Sequence, residues 1–121
     1  IGSRVKMLHS VPFGDLPAIY QMASVFVYPS FYEGFGIPIL EALNSRVPVI
    51  TTRGGVFPET GGDACIYVAP ESTEEMLHAL KSVLDDAAAA EGMRTRGVAY
   101  ARNFREPVIA ANLTAVYKSL L

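Results

Sequence analysis

Short apolar runs that alternate with helix-forming segments most constrain what this chain can fold into. Residues 25–28 and 65–68 are rich in β-branched and aromatic residues, and residues 47–52 form a similar run between them. Such runs are typical of strands buried in a parallel sheet. Strands that alternate with helices form a parallel sheet with helices on both faces. The sequence therefore predicts an α/β fold.

The segments around these runs predict the remaining elements. Residues 5–8 are apolar and predict a further strand, while Asp15 is a candidate cap for a helix with Pro17 in its first turn. Residues 36–44 predict a helix, and residues 58–60 predict a single helical turn. Ser72 and Glu75 form a capping box at the start of the next helix. Its predicted core face holds Met76, Leu77, Leu80, Val83 and Leu84.

Two more helices are expected after that one. The first covers residues 87–101, which begin with a run of alanines, and the second runs from Glu106 to Leu121. Six apolar residues of the last helix recur at core spacing: Val108, Ile109, Leu113, Val116, Tyr117 and Leu120.

The bulk properties exclude several classes of protein. With 121 residues, half of them hydrophobic, the chain forms one domain at most. A net charge of −2 argues against nucleic acid as the main partner. The single cysteine, Cys65, excludes an internal disulfide, indicates a reducing compartment and is expected in the core. No apolar run reaches the length of a membrane span.

The most informative motif is the stretch from Glu33 to Glu41, which places two carboxylates eight positions apart around a strand-to-helix turn. Gly34 and Gly36 allow the backbone to approach a ligand closely, and the free N–H groups near residues 35–37 favour an anion. Ionised Glu33 repels phosphate, so it faces a neutral hydroxylated group or solvent. Glu41 can accept hydrogen bonds from a diol such as that of ribose. Taken singly, each glutamate could also be a solvent-exposed acid of the helix, and the two glycines could belong to an ordinary turn.

A family resemblance adds to this interpretation. Several segments strongly resemble the group 1 family of retaining nucleotide-sugar glycosyltransferases: Asp15-Leu16-Pro17-Ala18-Ile19-Tyr20, Pro29-Ser30-x-x-Glu33-Gly34-Phe35-Gly36-Ile37-Pro38-x-x-Glu41-Ala42, Pro48-Val49-Ile50, Gly54 to Glu59 and Gly62-Asp63-Ala64. The resemblance extends over about residues 5–121 and includes the Val116-Tyr117 helix. It implies a Rossmann-like sheet within the incomplete C-terminal domain of a two-domain glycosyltransferase. Residues 1–121 would be part of the donor-binding domain.

The resemblance also implies roles for individual residues. Glu33 would be the catalytic-site glutamate that contacts hydroxyls of the donor sugar, and Glu41 would bind the ribose diol. The backbone of Gly34, Phe35, Gly36 and Ile37 would hold the sugar and the diphosphate. His9, in the loop of residues 9–11, would lie near the nucleobase. No Asp-x-Asp motif occurs, so metal-independent transfer without a cofactor is implied.

The same resemblance leads to expectations about missing parts. The family's first donor-domain strand, its glycine-bearing loop and its basic residues do not precede residue 5, and the N-terminal acceptor domain is absent. We therefore expect a fragment without transferase activity of its own, from a carbohydrate-biosynthesis enzyme in the cytoplasm or at the inner face of the membrane. The acceptor, the base and the sugar are not predicted. Because the sheet would then have unpaired edges, either strands 5–8 and 25–28 pair directly or the fragment dimerises by sharing strands.

Several alternatives stay open. Tyr28, Phe31 and Tyr32 lie beside the motif and either stack on a base or acceptor, or line its wall. Arg46 occupies a position where the family often has glycine, so we expect a slightly different turn there. A nucleotide-sugar epimerase and a non-catalytic sugar-nucleotide-binding or oligomerisation module are the competing functions. Retention of both Glu33 and Glu41 argues against the non-catalytic module.

Overall fold

Three parallel strands form the centre of the structure, a computed structural model that describes residues 2–121. The strands are β1 (Phe26–Tyr28), β2 (Val49–Thr52) and β3 (Cys65–Val68), paired in that order. Val27 lies opposite Ile50, which in turn lies opposite Ile66. All four residues of β2 are buried, as expected for a central strand covered on both faces. The three strand predictions at 25–28, 47–52 and 65–68 are therefore confirmed.

Within residues 2–121, six helices surround the sheet. They are α1 (Leu16–Met22), α2 (Ile37–Asn44), α3 (Phe57–Gly61), α4 (Thr73–Leu84), α5 (Ala87–Ala101) and α6 (Glu106–Ser119). Short 3₁₀ turns occupy Gly2–Arg4, Phe13–Asp15, Gly62–Ala64 and Arg102–Phe104. The predicted bounds of α5 agree with the structure, and the other predicted helices are found within two residues at their N-terminal ends.

Side-chain alternation along β2 divides the core into two clusters, one on each face of the sheet. Val49 packs with residues of α2 and α3, among them Leu43 and Phe57. Ile50 points to the opposite face and packs with residues of α4 and α5, including Val83 and Met93. Helices thus cover both faces, and the predicted Rossmann-like α/β class is confirmed.

The helix ends show which capping predictions hold. Ser72 Oγ accepts a hydrogen bond from the Glu75 N–H at 3.2 Å, as a capping box requires. The Glu75 carboxylate, however, accepts from the Ala69 N–H at 2.8 Å instead of returning to Ser72. The Asp15 cap is wrong: its backbone is already helical (φ −91°, ψ −16°), because a 3₁₀ turn leads directly into α1, and its side chain accepts no cap hydrogen bond.

The end of α2 differs from expectation in an informative way. The Arg46 N–H donates to the Leu43 carbonyl at 3.2 Å, and the Val47 N–H donates to the Ala42 carbonyl at 3.0 Å. This pair of bonds is a Schellman motif, whose first residue after the cap is left-handed. Arg46 indeed has φ 61°. The expected change of turn is therefore wrong, since the arginine adopts the conformation that glycine usually supplies.

Two apolar segments are not buried as predicted. Residues 5–8 form no strand, and Val5, Met7 and Leu8 are 55–73% exposed. The direct pairing of residues 5–8 with 25–28 is therefore wrong. All six residues of the core face predicted for the last helix are exposed, five on α6 and Leu120 just after it. Helical periodicity identifies residues that share a face, but it does not show whether another element covers that face.

Smaller corrections concern α4 and β3. Val83 is buried and Met76 and Leu80 are half-buried, whereas Leu77 and Leu84 are exposed. Cys65 is half-buried on β3. Among residues 2–121, none of the helices combines the length and the apolar character needed to cross a membrane.

Candidate functional site

The carboxyl end of the sheet holds the loop that follows β1. Thr51 Oγ1 donates to the Tyr28 carbonyl at 2.9 Å, and Thr52 Oγ1 donates to the Ser30 carbonyl. Both threonines are buried at the end of β2. The central strand therefore fixes the backbone of the neighbouring loop just before Glu33.

Glu33 is oriented by two hydroxyl groups. Its Oε1 accepts hydrogen bonds from the Tyr28 hydroxyl at 2.6 Å and from the Ser30 hydroxyl at 2.9 Å. The hydrogen bond from Tyr28, and then that from Ser30, hold the pKa of Glu33 below its ordinary value. The same contact raises the pKa of Tyr28, which stays a neutral donor. Glu33 is thus an ionised carboxylate whose Oε2 accepts no hydrogen bond from the described residues and can accept one from a hydroxyl ligand.

The turn into α2 depends on Gly36. This residue has φ 86°, a conformation that side-chain-bearing residues rarely adopt. A Cβ placed there would lie 3.4 Å from Ile39 Cδ1. Buried Thr60 on α3 donates a hydrogen bond to the Phe35 carbonyl and so holds the same turn from behind. Gly34 has no such restriction, because a Cβ there would meet nothing within 4 Å.

The first turn of α2 offers a limited set of N–H donors. Gly36 occupies the N-cap position and has no side chain to cap the helix. Pro38 lacks an N–H, and the Ile39 N–H donates to the Gly36 carbonyl at 2.9 Å. The Ile37 N–H, at the first helical position, therefore has no partner within the helix. Together with the helix dipole, a free amide there favours an anion by about 0.3–1 kcal/mol.

Glu41 lies one turn further along α2. The Tyr20 hydroxyl of α1 donates to Glu41 Oε2 at 2.9 Å. Burial, and then the hydrogen bond to Glu41, raise the pKa of Tyr20 to about 12, so the phenol remains a donor. Oε1 of Glu41 is available to a ligand, as Oε2 is on Glu33. Each glutamate is therefore held by a tyrosine through one oxygen while it presents the other.

A cavity of about 240 Å³ lies beside Glu41, between α1 and α2. Its walls combine aromatic and aliphatic side chains with a few polar groups, as in typical small-molecule sites. The lining consists of Phe13, Leu16, Pro17, Tyr20, Glu41, Asn44 and Ser45.

The structure brings most of the predicted site residues together. Residues 33–37 are contiguous between β1 and α2, and Glu41 follows on the same helix. His9 is exposed in a stretch that forms no strand, and it does not line the cavity beside Glu41. The strand that would have placed His9 at the ligand edge is therefore missing, and its donor contact stays a prediction.

Sequence reasoning missed the residues that support the two glutamates. Ser30, three positions before Glu33, had a sequence signal, because a hydroxyl at that spacing reaches back across a turn. Tyr20, Thr52 and Thr60 had none, since their partners lie 21–25 positions away along the chain. Within the described residues, no group of three or more histidine, cysteine or acidic side chains is placed to hold a metal ion. Metal independence stays a prediction.

Comparison with known protein families gives a match over most of the chain. The sequence profile described as glycosyl transferases group 1 matches residues 1–104. It ends before α6, although the predicted resemblance extended to residue 121. Several curated relatives cover nearly the whole chain, and two of them are described here. The chain is 40% identical over 117 residues to O-antigen chain mannosyltransferase B of Escherichia coli, covering 96% of the chain and 30% of that protein.

The second relative is named for a different activity. Over 123 residues the chain is 32% identical to D-inositol 3-phosphate glycosyltransferase of Corynebacterium glutamicum, covering 100% of the chain and 29% of that protein. Among solved structures, sucrose-phosphate synthase from Thermosynechococcus elongatus is similar, with a TM-score of 0.85 and 28% identity over 98% of this chain and 31% of that one. The chain thus spans about 30% of the length of these relatives.

Proposed function

The chain belongs to the glycosyl transferases group 1 family, and from this premise we propose that it binds the nucleotide-diphosphate-sugar donor of a sugar transfer reaction. The observation that carries the proposal is the matched support of Glu33 and Glu41. Each has one oxygen fixed by a tyrosine hydroxyl and the other free, on either side of the N-terminus of α2. A donor presents the same order of groups, in which hydroxyls, an anionic diphosphate and a ribose diol follow one another.

Each part of the donor then has a partner. Glu33 contacts hydroxyls of the sugar, because an ionised carboxylate accepts hydrogen bonds and repels phosphate. The turn of Gly34, Phe35, Gly36 and Ile37 holds the diphosphate through backbone N–H groups. Glu41 accepts hydrogen bonds from both hydroxyls of the ribose. The base occupies the adjacent cavity, next to Phe13.

The reaction proposed for the whole protein is transfer of the donor sugar to an acceptor with retention of configuration. Backbone amides at the start of α2 would stabilise the leaving diphosphate, the means by which helix N-termini assist charge separation. We place the acceptor on a preceding domain and expect the present chain to have no transferase activity alone. We also propose that transfer needs no metal and takes place in the cytoplasm. The mannosyltransferase named above makes mannose one of the sugars to be tested.

The test is a titration of the 121-residue chain with UDP, GDP and ADP, and with the corresponding glucose and mannose derivatives. Backbone amide shifts followed by NMR report which residues respond. We expect one base to be preferred, with the largest shifts at residues 33–37 and at Glu41. Binding with shifts confined to other regions, or no binding at about 1 mM nucleotide, would defeat the proposal.

A further inference from the structure

The peptide bond between Phe35 and Gly36 lies at the centre of the turn into α2. Gly36 is buried at the N-cap position, and within residues 2–121 its N–H donates to no acceptor. Buried backbone amides nearly always have a hydrogen-bond partner. The Gly36 N–H is therefore available to a bound ligand, in addition to the N–H of Ile37.

The carbonyl of the same peptide is held by Thr60 of α3. Thr60 is fully buried, and its hydroxyl donates a hydrogen bond to the Phe35 carbonyl. The hydroxyl also lies 3.2 Å from the Val56 carbonyl. That carbonyl already accepts from the N–H groups of Glu59 and Thr60, whereas among the described residues the Phe35 carbonyl has no other donor. The single hydroxyl proton is thus needed at Phe35.

This hydrogen bond determines where the Gly36 N–H points. The peptide bonds of residues 2–121 are all trans, and the C=O and N–H of a planar trans peptide point in opposite directions. A carbonyl directed at Thr60 therefore turns the N–H away from α3. The opposite orientation of the peptide would direct the carbonyl oxygen outward, where it would repel a phosphate.

Glycine makes that opposite orientation accessible. A flip of the peptide changes mainly ψ of Phe35 and φ of Gly36, and glycine tolerates φ of either sign. In the structure φ is 86°, and a flip would return it to the negative range that most residues prefer. Both flanks of the peptide are fixed. The Phe35 ring packs edge-on against Phe104, with centroids 5.7 Å apart, and the Gly36 carbonyl accepts from the Ile39 N–H. The orientation of the peptide between them is left to Thr60.

We propose that Thr60 is a positioning residue of the donor site: its hydroxyl fixes the Phe35–Gly36 peptide so that the Gly36 N–H donates to an oxygen of the donor's diphosphate. Because Thr60 is fully buried, it acts only through this peptide. Use of the amide by a diphosphate rests on the proposed function, whereas the orientation of the peptide does not. An amide that is oriented before binding needs no reorganisation when the ligand arrives.

Three variants separate the hydroxyl from the rest of the side chain. Thr60→Ser keeps the hydroxyl, Thr60→Ala lacks it and otherwise matches serine, and Thr60→Val is the second hydroxyl-free variant in case the cavity left by alanine prevents folding. The nuclear Overhauser effect between Phe35 Hα and the Gly36 amide proton reports the orientation of the peptide, because a flip changes their distance. In the ligand-free chain, Thr60→Ser should give the wild-type effect, and the hydroxyl-free variants should change it.

Affinity gives the second readout. UDP, GDP and ADP, and the three corresponding nucleosides, are titrated into the wild type and the variants. Loss of the hydroxyl should weaken binding of the preferred nucleoside diphosphate at least about threefold and leave its nucleoside unaffected. Thr60→Ser should bind as the wild type does. Tyr67→Phe is the control: it removes another bond from a hydroxyl to a backbone carbonyl, that of Gly62 at 2.8 Å. It should lower stability without changing either readout.

An unchanged Overhauser effect in the hydroxyl-free variants would overturn the proposal, and so would an equal loss of affinity for nucleoside and nucleoside diphosphate. Equal losses in Thr60→Ser and Thr60→Ala would also overturn it, since the hydroxyl would then have no part. Failure of the proposed function gives a different result, in which the wild type binds no nucleotide. A changed Overhauser effect would even then support the positioning of the peptide by Thr60.

Discussion

At the scale of single residues, Glu33 owes its properties to its neighbours. Two hydroxyl donors converge on Oε1 and favour the ionised form, which is the form that accepts hydrogen bonds from a sugar. The type of residue could be predicted from the motif, but the Tyr28 contact could not. Tyr28 could equally have packed in the core, and only the fold places its hydroxyl next to the carboxylate.

Removal of the Tyr28 hydroxyl should therefore change the titration of Glu33. In Tyr28→Phe, we expect the pKa of Glu33 to rise toward its ordinary value, as measured by NMR of the carboxyl carbon. A depressed folded-state pKa contributes stability above the unfolded-state pKa and loses it as the pH falls through the folded-state pKa. The variant's deficit in stability should thus be larger at neutral pH than in acid. Tyr20→Phe is the control, and an unshifted Glu33 in Tyr28→Phe would contradict this account.

The two glycines of the motif should respond differently to substitution. Gly36→Ala forces a Cβ onto a residue with φ 86°, which we expect to lower the free energy of unfolding by about 1–2 kcal/mol. Gly34→Ala adds a Cβ in open space and should cost less than about 0.5 kcal/mol. Chemical denaturation measures both. Equal losses in the two variants would show that the turn in solution differs from the structure.

At the scale of elements, the carboxyl end of β2 and the helix α2 do most to position the site. Helix and strand locations could be predicted because apolar periodicity and proline placement are local signals. The failures concern long-range packing. Residues 5–8 have strand-like composition but no neighbouring strand in the described chain, and Asp15 cannot cap because the preceding turn is already helical. The hydroxyl contacts of Thr51, Thr52 and Thr60 depend on the same tertiary placement.

The C-terminal end of α2 offers a stability test. Arg46 adopts φ 61° and forms an exposed ion pair with Glu91. Arg46→Gly relieves the left-handed strain at the loss of that pair, which is worth at most about 1 kcal/mol. We expect the free energy of unfolding to rise by about 0.5–1 kcal/mol, because glycine suits this position of a Schellman motif. Glu91→Gln removes this ion pair together with the longer one between Glu91 and Arg94, and it should change stability less than Arg46→Gly does. A net loss of stability in Arg46→Gly would contradict the inference that the backbone of Arg46 is strained.

At the scale of the whole molecule, apolar surface is distributed unevenly. Met7 and Leu8 are exposed near the N-terminus, and Leu113, Val116 and Tyr117 are exposed on α6. β1 pairs only with β2 within the described sheet, so its other edge has no strand partner there. Unpaired edges and apolar patches of this kind promote association.

We accordingly expect the chain to self-associate through the open edge of β1. The Phe26 N–H donates toward β2, to the Pro48 carbonyl, so the N–H of Val27 points to the opposite edge. Val27→Pro blocks that edge without removing a ladder hydrogen bond. Light scattering should give a mass above 13.1 kDa for the wild type and a smaller mass for the variant, with folding checked by circular dichroism. A monomeric wild type at all concentrations would rule out association.

The central claim is that Glu33 and Glu41 divide the donor between them, and a calorimetric comparison of two ligands tests it most directly. The preferred nucleoside diphosphate and its hexose derivative are titrated into wild type, Glu33→Gln and Glu41→Gln, with exposed Glu59→Gln as a matched control. We predict that Glu41→Gln weakens both ligands about 10- to 100-fold, since each loses charged hydrogen bonds to the ribose. Glu33→Gln should weaken the nucleotide-sugar alone. Equal affinities in all four proteins would show that both glutamates are structural and would contradict the account.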